Sequence, residues 1–191
     1  MEVGNRIRSR SQVGATLVEV LVTMVILAIG LLGLVALQAR VQILQAEAYQ
    51  RAQALMLLKD MAGRIANNRN NADDYVTGPD APVGIGIVCP APGATRQSAD
   101  IAQWCQALQG AAESLGGTAV GAMVGGRGCV EDLDNGRFLV TVAWQGLAPI
   151  SAPPDSVACA ATEYDGGDDS ACTDDLCRRV VTTIVRIPTL T

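Results

Sequence analysis

Histidine is absent from the 191-residue sequence. Its absence removes Ser-His-Asp and Cys-His nucleophile pairs and every histidine-containing metal site. Phosphate-loop chemistry is missing as well. No Gly-Lys-Ser/Thr occurs, and Gly84-Ile85-Gly86 lacks the third glycine of a dinucleotide loop. Gly116 to Gly128 is glycine-rich but has no basic residue before Arg127, so it reads as plain loop. No two cysteines stand at the C-x-x-C spacing of a redox motif or zinc knuckle. Aromatic residues make up only 3%, and 14 Lys+Arg face 19 Asp+Glu for a formal charge of −5. That acidic balance argues against nucleic acid as a partner.

What is present is unevenly spread. Hydrophobic residues are 49% of the chain, ample for a core, but much of that content sits in one N-terminal block. Residues 1–14 are polar and carry Arg6, Arg8 and Arg10. From Ala15 to Leu37 only Thr16, Glu19 and Thr23 are neither apolar nor small. As a helix, uncharged residues 20–39 span roughly 30 Å, about one hydrocarbon core. The arginines before this segment place residues 1–14 in the cytoplasm by the positive-inside rule. Everything after it then lies across the membrane. The six cysteines, Cys89, Cys105, Cys129, Cys159, Cys172 and Cys177, are all on that far side, where disulfides form.

The order of the N-terminal features is not that of an ordinary secretory signal, which ends its apolar run in small residues at a cleavage site. Here a short basic leader and a glycine come first. Glu19 is a carboxylate inside a membrane segment, which is costly and points to function. If the chain is cut after Gly14, the new amine of Ala15 supplies a cation, and Glu19 of one subunit can pair with the amine of its neighbour. The plainer reading has Glu19 snorkelling to the interface.

Residues Val13-Gly14-Ala15-Thr16-Leu17-Val18-Glu19-Val20-Leu21 resemble the class III signal of type IV pilins and pseudopilins, a glycine followed by a hydrophobic segment with Thr-Leu-(Ile/Val)-Glu. The similarity continues through Ile29-Gly30-Leu31-Leu32-Gly33-Leu34, Leu37-Gln38-Ala39-Arg40, Tyr49-Gln50-Arg51-Ala52-Gln53-Ala54 and Asp60-Met61-Ala62. That longer pattern resembles the minor-pilin family PilV, the type IV pilus modification proteins, over residues 13–68. One departure is Ala15, where the family usually has phenylalanine. The resemblance implies cleavage between Gly14 and Ala15 by a prepilin peptidase, N-methylation of Ala15, and an assembly role for Glu19.

Beyond the membrane segment, Leu34, Leu37, Val41, Leu44, Ala48, Ala52, Leu55, Leu58, Ala62 and Ile65 recur at helical spacing among polar residues. The helix is expected to run to about Ala66 and to stop at Asn67-Asn68-Arg69-Asn70-Asn71. In the remainder, Arg137 to Trp144 alternates, with Phe138, Val140, Val142 and Trp144 on one face. Gly128 to Glu131 precedes it through Asp134-Asn135-Gly136, a hairpin signal. Arg178 to Ile187 is β-branched and makes a third strand, and Ala99 to Leu115 reads as a short helix. Six cysteines allow fifteen pairings, and near neighbours are favoured: Cys89 with Cys105, Cys129 with Cys159, Cys172 with Cys177. Glu163 to Asp175 holds six carboxylates without the EF-hand order, so it reads as a solvated acidic loop.

The expected fold is α+β and type IV pilin-like: a long N-terminal helix, half transmembrane and half amphipathic, packed on a small antiparallel sheet with disulfides. The domain divisions are a leader at 1–14, a transmembrane and assembly helix at 15–39, its amphipathic continuation at 40–66, and a periplasmic head at 67–191. The implied function is a low-copy minor pilin of the bacterial inner membrane and the pilus fibre, not an enzyme, with no cofactor and no metal. Its expected partners are the prepilin peptidase, other minor pilins, the major pilin and the membrane. A minor pseudopilin of type II secretion is the close alternative. A single-pass anchored protein whose head takes calcium or a ligand is the alternative of a different class.

Overall fold

The computed structural model describes residues 14, 16–111, 114–115, 118–119 and 123–188. Helix α1 spans Leu17–Asn67. The chain divides into two compact units, residues 1–43 and 44–191. In the first unit every described residue of α1, from Leu17 to Ile43, is exposed. An 18-residue window of this helix reaches a mean hydropathy of 2.9 with none of it buried. A continuous apolar surface of that kind needs lipid or other helices around it.

In the second unit α1 buries Gln50, Ala54, Leu58, Met61 and Ile65, at spacings of four, four, three and four. This face is rotated from the expected one. Ala48, Ala52 and Leu55 are exposed and Ala62 is half-buried. The core partners of α1 include Trp104, Phe138 and Trp144. Facing such bulky residues, volume complementarity selects small Ala54 over Leu55, although leucine is the more hydrophobic. The helix ends where expected, at the asparagine run, and a short 3₁₀ turn over Arg69–Asn71 follows, then another over Asp73–Tyr75.

Strand β1 (Val83–Gly84) precedes helix α2, which covers Arg96–Leu108 rather than 99–115. Thr95 caps its start by accepting from the Ser98 N–H at 3.2 Å, a signal that places the helix three residues early. Gly110, at φ 87°, closes its end. Ser114–Leu115 is instead a short strand, β2, paired with β3 (Thr118–Ala119). Strands β4 (Arg127–Asp132), β5 (Arg137–Gln145) and β6 (Arg178–Arg186) complete an antiparallel sheet ordered β1-β4-β5-β6. The β4–β5 turn uses left-handed Asp134, Asn135 and Gly136, and Leu133 N–H donates to Arg137 O at 2.8 Å. The result is the expected long apolar helix with a small four-stranded antiparallel sheet and three disulfides, consistent with a type IV pilin fold.

Phe138, Val140, Val142 and Trp144 face α1 and α2 as the core side of the sheet, joined by Val130 and Val185. The outer side is also covered. Thr141 and Ala143 are fully buried, and Ala143 packs with Ala160 and Tyr164. Residues 146–177 therefore form a cover on the sheet and not a free polar loop. Cys129–Cys159 ties that cover to β4, Cys89–Cys105 ties α2 to the chain before it, and Cys172–Cys177 closes a small loop ahead of β6. Their Cα–Cα distances are 5.8, 5.6 and 5.2 Å, within the usual range for a disulfide.

Candidate functional site

The segment that carries the unusual residues is the start of α1. Thr16 is its cap: Thr16 Oγ1 accepts from the Glu19 N–H at 3.3 Å, and Thr16 O accepts from the Val20 N–H at 3.2 Å. Thr-x-x-Glu is the order of a capping box, and Glu19 in the first turn is favoured by the helix dipole. Among the described residues Glu19 forms no ion pair, and Ala15 and the leader residues 1–13 lie outside those described.

Three glycines in this segment have no close neighbour among the described residues that requires them. At Gly14, Gly30 and Gly33 a Cβ would meet nothing within 4 Å, and none has a left-handed backbone. Two of them lie inside α1, where each glycine costs about 1 kcal/mol relative to alanine. Small residues inside an apolar helix let another helix approach closely. A glycine ahead of the helix is open to recognition from outside.

Elsewhere the polar groups hold structure. Asp100, 8% exposed, accepts from Arg64 Nη1 at 2.7 Å and from the Tyr75 hydroxyl at 2.6 Å. These bonds join the end of α1, the second 3₁₀ turn and α2. Burial and then the Asp100 hydrogen bond push the Tyr75 hydroxyl above its ordinary pKa. Arg178, 3% exposed, pairs with Asp175 at 3.0 Å and donates to Val157 O and Cys159 O. Arg127 pairs with Glu163 at 2.8 Å and lies 5.2 Å from the centre of the Tyr164 ring. Burial pushes the Tyr164 hydroxyl up to about 12. Burial, then the charge of Asp80, also raises Glu131.

The acidic stretch is only partly solvated. Asp175 Oδ1 accepts from the Thr162 N–H, and Asp165 Oδ1 accepts from the Asp175 N–H, both at 2.8 Å. These carboxylates cap a loop in which Ala160, Thr162, Asp174 and Asp175 all adopt positive φ. Among the described residues there is no group of three or more cysteine or acidic side chains arranged to hold a metal ion.

Residues 10–35 match the family model of the prokaryotic N-terminal methylation motif. The chain has a prepilin-type N-terminus. The match spans the end of the basic segment, Gly14, Glu19 and most of the apolar run. It supports a type IV pilin-like or pseudopilin-like structural subunit, a kind that is typically non-enzymatic. It also implies processing by a prepilin peptidase, assembly with other pilins and membrane anchoring through α1. No curated protein and no solved structure was found to match the chain.

Sequence reasoning missed two features. Thr16 as helix cap was signalled by Thr16-x-x-Glu19. Arg178 as the anchor of the sheet cover had no such signal, because its partners Val157 and Cys159 are backbone carbonyls some twenty residues away in sequence.

Proposed function

We propose that this chain is a minor pilin of the PilV kind, a low-copy subunit that joins other pilins to start or cap a type IV pilus. The observation that carries the reading is the methylation motif heading an apolar helix whose every described residue to Ile43 is exposed. In this reading a prepilin peptidase cuts after Gly14, and Ala15 becomes the methylated N-terminus. The segment from 15 to 39 anchors the subunit before assembly, with the disulfide-bonded head in the periplasm. Glu19 then pairs with the Ala15 amine of a neighbouring subunit. Desolvation offsets much of that attraction, so the pair acts chiefly by setting register.

The low copy number is argued from the head. Its irregular segment at 146–177 exceeds ordinary connections, and such a length is uncommon without a functional cause. A subunit repeated along a dense fibre has little room for it. A minor pseudopilin shares the same motif and helix, so the machine served is decided by the company it keeps. Quantitative mass spectrometry of sheared fibres tests the proposal. The expected copy number is far below that of the main pilin, and Glu19→Ala is expected to leave membrane insertion intact but deplete the subunit from fibres. A copy number near the main pilin's refutes the minor role, and normal incorporation of Glu19→Ala refutes the role of Glu19.

A further inference from the structure

We infer that the open edge of β6 is a docking strand for an extended, acidic-ended segment of another polypeptide. This surface is in the head, and the inference does not rest on processing of the N-terminus.

The hydrogen-bond parity of the sheet fixes which groups are free. Ile187 N–H donates to Gly136 O at 2.7 Å, and Gly146 N–H donates to Cys177 O at 2.8 Å. Both bonds continue the register that pairs Arg137 with Arg186 and Gln145 with Arg178. Odd-numbered residues of β6 therefore bond to β5, because bonded and non-bonded pairs alternate in an antiparallel ladder. The N–H and C=O groups of Val180, Thr182, Ile184 and Arg186 point the other way. Among the described residues no strand pairs along that side. Val180 to Arg186 gives about 20 Å of free edge.

Exposed edges are usually blunted by proline, bulges, a short length or charges along the strand. β6 has nine residues in unbroken register, no proline, and no charge between Arg179 and Arg186. Its outward side chains also invite a partner. Ile184 is 47% exposed and stands opposite half-buried Leu139. An added strand gains main-chain bonds along the edge and a contact for one apolar side chain there.

Charge selects the occupant. At one end Arg186 faces Arg137 across the ladder, and both are exposed. Like charges directly opposite are unfavourable; Arg137 donates to Leu133 O and Asp134 O, but neither arginine has a carboxylate partner among the described residues. At the other end Val180 lines a hollow of about 410 Å³ shared with Trp144, Ile150, exposed Arg51, and Glu47 paired with Arg179 at 3.9 Å. Arg51 likewise has no ion-pair partner among the described residues. These unpaired cations stand on a chain of net charge −5. A second copy paired through its own β6 does not answer them, because Arg178–Arg186 contains no carboxylate. An extended segment with β-branched residues in the middle and acidic residues at both ends does.

The test uses the full chain in detergent micelles and a fluorescein-labelled peptide, acetyl-Glu-Asp-Val-Thr-Val-Thr-Val-Asp-Glu-amide. Its control replaces the four acidic residues with lysine. Anisotropy is expected to show at least tenfold tighter binding of the acidic peptide, and hydrogen exchange is expected to slow in residues 178–186. Thr182→Pro removes an outward N–H that takes no part in the β5 ladder, and it should abolish binding while circular dichroism stays native. If that variant fails to fold, Arg137→Glu combined with Arg186→Glu decides alone, by inverting the preference between the two peptides. Equal binding of both peptides, no binding at all, or full binding to folded Thr182→Pro overturns the proposal. So does edge protection that rises with protein concentration in the absence of peptide, which is the signature of self-pairing.

Discussion

Gly128 is where the join between α2 and the sheet is tightest. A Cβ at this position would lie 2.3, 2.7 and 2.8 Å from three atoms of the Trp104 ring. Ordinary carbon contacts begin near 3.5 Å, so in Gly128→Ala the ring has to retreat by about 1.2 Å. It has little freedom to do so. Trp104 is fully buried, its Nε1 donates to Leu57 O at 3.0 Å, and the next residue, Cys105, is held by Cys89. Overpacking of this kind costs about 1–3 kcal/mol, and the restraints place it toward the upper end, about 2 kcal/mol or more. For a chain of this size that is a fall of about 4–8 °C in Tm. Chemical unfolding of the oxidised protein followed by tryptophan fluorescence measures it. Trp104→Phe removes the ring atoms concerned and is itself destabilising. In that background Gly128→Ala should be neutral or stabilising, since alanine restricts the unfolded chain. Simple additivity of the two changes would refute the packing argument.

Asp100→Ala leaves the buried Tyr75 hydroxyl and the Arg64 guanidinium without their shared acceptor. Arg64 keeps Asp60 and Gln103, so the expected loss is about 2–3 kcal/mol in chemical unfolding. A loss below about 0.5 kcal/mol would show that the cluster does not hold α1 to α2. Tyr164 gives a pH prediction. Its hydroxyl is neutral in the folded chain up to about 12 but ionises near 10.0 when unfolded. The stability it contributes is complete below pH 10 and is lost as pH rises towards 12. Tyr164→Phe should therefore flatten the decline in unfolding free energy between pH 10 and 12, and an unchanged slope would contradict the burial of that hydroxyl.

The N-terminal helix and the three long strands were legible because their patterns are local. A run of apolar residues names a membrane-length helix, and Phe138, Val140, Val142 and Trp144 repeat at the period of a strand. The face of α1 was not legible. Leu55 is exposed and Ala54 buried because the sheet and α2 decide what fits, and hydrophobicity alone ranks those two the other way. The cover over the outer sheet was hidden for a related reason. Residues 146–177 have no periodicity, and they are placed by bonds of Arg178 to Val157, Asp175 to Thr162 and Tyr164 to Gly125, across 21, 13 and 39 residues of sequence. The short helix was misplaced because the Thr95 cap was passed over and the chain after Gly110 was taken as helical. At the N-terminus the motif residues were readable at once, but the Thr16 cap, which accepts from the Glu19 backbone N–H, was passed over.

The N-terminus of the protein in assembled material tests most directly whether the chain is a processed, assembled pilin-like subunit. Intact-mass and N-terminal peptide analysis of protein recovered from sheared fibres should find a chain beginning at Ala15 with one added methyl group on its amine. Changing Gly14 to a bulky residue should leave the full-length precursor in the membrane and none in the fibres. Assembled protein that retains Met1 and the arginines of residues 1–14 would contradict the account.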